Sequence, residues 1–297
     1  MEPPAQDRWS DWLLHRRFGG DPQAVERARA MLHPVRDRVL DQAQLHDAAV
    51  LLDVGCGDGL IAFGALERYP TCRVIFSDIS QPLLDHAAAL AGKHDLLSRC
   101  SFLRAAADNL TAVADGSVDA VTTRSVLIYV KPKLAAFQEF YRVLKPQGRL
   151  SIFEPINRFA APEPPHLFHG YDVTPIQHLA VRIKAVMRAS STLDPSPMID
   201  FDERDLLRWA EEAGFQDIHL RLEVEILAHT EDTSWDAFLH TAGNPLDCTI
   251  AEAIERALTP EESDEFTRYL QPLVVGKRGT RRMALAYLWA SKPGLGV

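Results

Sequence analysis

Val50-Leu51-Leu52-Asp53-Val54-Gly55-Cys56-Gly57-Asp58-Gly59 is a short apolar run, an acid within it, and three glycines at alternate positions. An apolar run of this length reads as a buried strand, and the glycines as a tight turn into the helix-like segment 60–68. In an open α/β sheet that junction binds nucleotide-like ligands, beyond the carboxyl ends of the strands. A dinucleotide fingerprint needs Gly-x-Gly-x-x-Gly. Counted from Gly55, its last position holds Leu60, which argues against NAD or FAD. No Gly-Lys-Ser/Thr comes after it, so the loop is not a Walker loop. It lets backbone approach a ligand closely without an evident phosphate cradle.

Outward from the loop, strands and helices alternate. Residues 49–54, 73–77, 101–104, 118–123 and 148–153 read as five strands, with a helix over 132–144 before the fifth. This alternation predicts a doubly wound parallel sheet with right-handed crossovers. Residues 155–200 interrupt it with many prolines, His166 and His169, and one helix over 175–189. The pattern resumes with a helix over 203–213, the stop Gly214 and a strand over 218–227. A helical segment over about 234–273 comes next, and 283–290 is the last strand. Upstream, residues 1–48 read as an amphipathic helical cap carrying Trp9, Trp12 and Arg17, with a helix over 22–45 that Pro34 is expected to bend. The expected organisation is the cap at 1–48 and an α/β domain at 49–297, with insertions at about 155–200 and 230–281.

The 297 residues are 46% hydrophobic and 25% charged, with a formal net charge of −9. That balance is ordinary for a soluble globular chain and weighs against a broad nucleic-acid surface. The start lacks the basic and apolar regions of a signal peptide, which sets the expectation of a cytosolic location. Four cysteines, at 56, 72, 100 and 248, show no metal-ligand spacing, so no metal site is expected.

Asp53 at the end of the first strand suits a cationic ligand group; capping the next helix is its structural alternative. Asp78, 25 residues on at the end of the second strand, stands where an acid accepts hydrogen bonds from ribose hydroxyls. A ribose, a cation and no phosphate together fit S-adenosylmethionine. Leu52-Asp53-Val-Gly-Cys-Gly-Asp-Gly59, Ser77-Asp78-Ile79-Ser80, Ser117-Val-Asp119-Ala-Val121 and Leu144-Lys-Pro-Gln-Gly148 are together similar to the class I S-adenosylmethionine-dependent methyltransferases. The four segments fall in the family's order over about 49–154, and Ala213-Gly214-Phe215 matches a later part of its pattern.

The resemblance implies a Rossmann-like seven-stranded sheet whose last strand runs antiparallel between the fifth and sixth. It implies that Gly55, Gly57 and Gly59 pass under the methionine and ribose, that Asp78 holds the ribose diol, and that Ile79 packs on adenine. Where the family often has Asp-Ala after the third strand, this chain has Ala106-Ala107, with Asp108 next. The resemblance then leaves Ala107 a backbone contact and Asp108 the adenine amino group, with an exposed-loop role as the alternative for Asp108. Arg124, between Thr123 and Ser125, is implied near the methionine part, with a structural ion pair as its alternative.

Methyl transfer from a sulfonium is an in-line displacement, for which positioning supplies much of the rate. An oxygen or nitrogen acceptor can also need a base. Glu154, His166, His169 and Tyr171 are the candidates by position, with surface loop roles as the alternative for both histidines. Trp235, Phe238 and Leu239 either line an apolar pocket or pack as one helix face. The expected activity is methyl transfer to a small organic molecule on oxygen, nitrogen or carbon. RNA or protein methylation and a catalytically silent S-adenosylmethionine-binding partner are the alternatives.

Overall fold

The computed structural model describes residues 7–19, 21–190 and 196–294, apart from the side chains of Pro22 and Arg29. The first six residues of the expected cap and residues 191–195 of the first insertion lie outside it. The strands are β1 (Val50–Val54), β2 (Arg73–Asp78), β3 (Cys100–Arg104), β4 (Val118–Arg124), β5 (Leu144–Pro155), β6 (Leu167–Phe168), β7 (Tyr171–Asp172), β8 (Gln216–Ala228) and β9 (Thr280–Ser291). The helices are α1 (Arg8–Asp11), α2 (Pro22–Ala43), α3 (Leu60–Arg68), α4 (Gln81–Lys93), α5 (Lys133–Val143), α6 (Gln177–Ser190), α7 (Glu203–Glu212), α8 (Trp235–His240), α9 (Ile250–Ala257) and α10 (Pro260–Val275).

Seven strands form one sheet in the order β3-β2-β1-β4-β5-β9-β8. β1 to β5 pair in parallel, and β9 runs antiparallel to both β5 and β8. The sheet is therefore the one the resemblance implied. β5 starts four residues before the expected 148, because Leu144 already pairs with Val118 across an irregularity in the ladder. The hairpin β6–β7 has no counterpart in the sequence pattern, since two-residue strands carry no periodicity.

Helices cover both faces, which keeps β1 and β4 out of water. On one face α2, α3 and α4 enclose Val39, Leu40, Ala62, Leu66, Phe76 and Leu84. On the other, α5 and α7 bring Phe137, Phe140 and Leu206 against Val121, Leu150 and Leu288. α2 continues unbroken through Pro34 and stops at Ala43, because Gln44 takes a left-handed conformation at φ 48°. Inside the contact the Ser151 hydroxyl donates to the Val39 carbonyl at 2.8 Å.

The two insertions pack on each other and form a third core. Phe168, Tyr171, Leu179 and Ile183 from the first meet Phe238, Ile250, Ile254, Phe266 and Leu270 from the second. Phe238 is buried in this core, and Trp235 and Leu239 pack against it. Among the described residues no helix is long and apolar enough to cross a membrane.

Lys133 at the start of α5 is 2% exposed, and its ammonium donates to Asp200 at 2.6 Å beside the Phe201 ring. Removing one partner of a buried pair leaves a desolvated charge, although Asp200 itself meets water. Asp200→Ala is expected to cost about 2 kcal/mol of stability, read as a lowered melting temperature in calorimetry. Lys133→Met, which removes the charge as well, should cost less.

Candidate cofactor site

The β1–α3 turn is built on glycine for two reasons. Gly55 and Gly57 hold φ of +65° and +55°, a region that side chains rarely adopt. A Cβ on Gly55 would also stand 2.3 Å from Val126 Cγ2, and one on Gly57 3.2 Å from Leu13 Cδ2. The turn is pinned by two acids. Asp78, at the end of β2, accepts from the Gly57 N–H and the Ser80 N–H, both at 2.9 Å. Burial pushes its carboxyl above the usual range, against those hydrogen bonds.

Asp53 accepts from the Thr122 hydroxyl at 2.9 Å and from the Ala62 N–H at 3.1 Å. It thus caps α3 from behind the turn, with its carboxyl pushed up to about 7 by burial. The expected contact with a cationic ligand group gives way to the capping alternative, because both oxygens face the sheet and helix interior.

β4 ends in a second constrained turn. Ser125 sits at φ 57°, a conformation with a steric cost for a residue with a Cβ. Glu154 on the neighbouring β5 stabilises the next two residues of this turn: its Oε1 accepts from the Val126 N–H at 2.8 Å and the Leu127 N–H at 3.0 Å. Its Oε2 is buried with no hydrogen-bond partner among the described residues. Burial drives this carboxyl up to about 7. Glu154 supports the turn carrying Tyr129 and does not line the cavity beneath the cap.

The cap forms a roof. α1 leads into a π-helical turn over Trp12–Arg16, and Trp9 meets the Tyr129 ring edge-on at 4.9 Å. One side is tied down by the Ser80 hydroxyl, which donates to Asp7 at 3.0 Å. The other is tied to the second insertion. The Trp12 indole donates to the Ala242 carbonyl at 2.9 Å, the Ala242 N–H donates to the Arg16 carbonyl, and Arg16 pairs with Glu252 at 3.0 Å. Trp12→Phe removes one of these ties and keeps the ring. Its expected effect is about threefold to tenfold weaker cofactor binding in calorimetry, the worth of one hydrogen bond.

Beneath the roof lies a cavity of ≈ 260 Å³. Gly55, Gly57, Asp78, Ile79, Ala107, Asp108 and Arg124 all line it. Among the residues expected at the site, Asp53, Gly59, Glu154, His166, His169 and Tyr171 do not. The two histidines and Tyr171 lie in the insertions, where Tyr171 is buried and stacks on His229. Sequence reasoning missed Leu83, Val126, Tyr129 and Lys131, which also line the cavity. The last three lie within seven residues of the end of β4, and that position was the one available signal.

Arg17 and Arg124 both line this cavity, and among the described residues neither guanidinium has a hydrogen-bond or ion-pair partner. The ion pair that would make Arg124 structural is therefore absent there. Arg17 lies 5.2 Å from the Trp12 ring centre and 5.1 Å from that of Phe18. Burial, then repulsion from Arg124, lowers its pKa to about 10.

Residues 51–148 match the methyltransferase domain family model. Nocamycin O-methyltransferase of Saccharothrix syringae is 37% identical over 125 residues, which are 41% of this chain and 44% of that protein. The ubiquinone/menaquinone biosynthesis C-methyltransferase UbiE of Syntrophotalea carbinolica is 30% identical over 183 residues, 60% of this chain and 73% of the relative. The chain belongs to the class I S-adenosylmethionine-dependent methyltransferases. Its match spans 37% to 55% of the length of three curated relatives, the nocamycin enzyme among them. The fold of the YcgJ protein from Bacillus subtilis superposes with a TM-score of 0.55 at 15% identity, covering 89% of this chain and 100% of that one.

S-adenosylmethionine is the cofactor of this methyltransferase family, and the cavity passes a test of fit. Its floor at Gly55 and Gly57 has no space for side chains, it exposes backbone, and its wall carries the buried Asp78 carboxylate. Ile79, Leu83 and Ala107 add apolar lining to the same cavity, the surface a planar base needs. Arg124 offers an unpaired cation for an amino-acid carboxylate.

Proposed function

We propose that the chain transfers the methyl group of S-adenosylmethionine to a small organic molecule. The observation that carries this reading is the roof. α1 and the π-helical turn, tied down at both edges, cover the cofactor cavity from above, which favours a small acceptor over a macromolecule. When bound, the cofactor supplies a methyl group on a sulfonium, already activated for displacement.

The chain's own residues hold and shield it. Asp78 accepts from the ribose hydroxyls while its second role, on the Gly57 N–H, keeps the turn in shape. Ile79 would pack on the adenine face, and Asp108 and the Ala107 N–H, which line the same cavity, would meet its polar edge. Arg124 takes the methionine carboxylate through a charge-assisted contact. Trp9, Trp12 and Leu13 exclude water from above, which strengthens each polar contact beneath them. Rate comes from holding the acceptor in line.

Calorimetry with S-adenosylmethionine and with NAD tests the cofactor, and NAD binding alone would overturn the reading. Transfer of a labelled methyl group into a metabolite extract separates an enzyme from a silent binder. Cofactor binding with no label transferred would favour the silent binder.

A further inference from the structure

A second cavity, of ≈ 230 Å³, lies between α2, the cap and the second insertion. Its apolar wall comes from Phe18, Ala24, Ala28, Met31, Phe238 and Ile250. Arg17 lines this cavity and the cofactor cavity alike, and so forms the boundary between them. The charges around the second cavity are otherwise matched. Asp21 faces Arg27 at 3.5 Å, Glu231 pairs with Arg281 at 3.2 Å, and Asp232 pairs with Lys277 at 2.6 Å. Among the described residues Arg17 is the guanidinium without an ion pair, held over the Trp12 and Phe18 rings, with Asp58 attracting it from beyond salt-bridge distance. Leaving a desolvated cation unmatched is costly, so the arrangement favours an anion at that spot.

We infer that the second cavity is the acceptor site and that the acceptor is an apolar molecule bearing one anionic group, which Arg17 binds at the boundary with the cofactor. This rests on the methyl-transfer reading, which calls for an acceptor beside the cofactor. The apolar part lies between α2 and Phe238. An apolar cavity of about 150 Å³ accepts benzene, so this one holds a single ring or a medium-length chain. With Arg124 in the cofactor cavity and Arg17 at the boundary, each anion has its own partner: Arg124 the cofactor carboxylate, Arg17 the acceptor.

The test loads the protein with S-adenosylhomocysteine and titrates it with octanoate and with octanamide in a calorimeter. Octanoate is expected to bind about tenfold or more tightly than the amide, the worth of a charge-assisted hydrogen bond. The preference should vanish in Arg17→Gln, and both probes should lose binding in Ala28→Phe, which fills the cavity. S-adenosylhomocysteine affinity should stay within about threefold in Ala28→Phe, and an unchanged circular dichroism spectrum and melting temperature show that both variants fold. Equal binding of acid and amide, no binding of octanoate, or full binding in Ala28→Phe would overturn the inference. In parallel, an extract is split by anion exchange and each fraction is offered with labelled S-adenosylmethionine. Label in the retained fraction supports the anionic acceptor, and label confined to the unretained fraction overturns it. No label in any fraction defeats the methyl-transfer reading itself, whatever the titration shows.

Discussion

Asp78→Ala is expected to weaken S-adenosylhomocysteine binding by about 100-fold or more. The two ribose hydroxyls donate to a carboxylate in the proposed complex, and each such charge-assisted bond contributes about 1.5–3 kcal/mol. Two of them amount to about two or more decades in affinity. The substitution also removes the acceptor of the Gly57 N–H, at 2.9 Å, and so loosens the turn on which the ligand rests. Asp78→Asn keeps one oxygen for Gly57 or for the ribose and should fall between the wild type and alanine. Isothermal calorimetry reads all three proteins directly. A change below about threefold for Asp78→Ala would mean that another group holds the ribose.

Glu154→Gln should make the protein more stable above neutral pH. The Glu154 carboxyl has its pKa raised from 4.5 to about 7, chiefly by burial. Between those values the folded chain holds a proton that the unfolded chain has released. The stability contributed by the neutral acid is complete below pH 4.5 and is lost as pH rises through 7. The shift corresponds to roughly 3 kcal/mol. Glutamine mimics the neutral acid. It keeps an oxygen for the Val126 and Leu127 N–H groups and places an amide where the unpartnered Oε2 stands.

Melting temperature of the variant should match the wild type near pH 5 and exceed it by roughly 5–10 °C near pH 8.5. Parallel profiles for the two proteins would show that burial does not govern this carboxyl. Asp53, raised from 3.8 to about 7 for the same reason, adds a slope of the same sign that the Glu154 variant leaves in place. Glu154→Ala, in contrast, strands the two N–H groups and should lower stability at every pH.

The parallel half of the sheet was legible because its strands are buried on both faces. Residues 50–54 are apolar but for Asp53, and Val118, Ala120 and Val121 mark the buried start of 118–124. Asp78 was legible from its distance to the turn. The acids that hold the site together were not. Asp53 and Glu154 end strands as Asp78 does, and their direction is set by Thr122 and Val126, partners far away in sequence. The union of the two insertions was hidden for a related reason. Each carries an amphipathic helix, and periodicity identifies a buried face without naming what it meets. The roof's ties from Trp12 to Ala242 and from Arg16 to Glu252 span more than two hundred residues and leave no local trace.

The place of β9 bears on how the chain reaches this state. β9 comes after every other strand in sequence yet lies inside the sheet, between β5 and β8. During synthesis, β3-β2-β1-β4-β5 can assemble as soon as residue 155 has emerged. β8 then has no neighbour until residues 280–291 arrive. Through that interval it is a thirteen-residue strand with both edges open. Leu222, Val224 and Ile226 stay well exposed even in the finished fold. An open apolar edge is a template for other chains. Truncation before Thr280 should therefore make the chain aggregate from β8, while the glycine turn and Asp78 remain on an assembled five-stranded core.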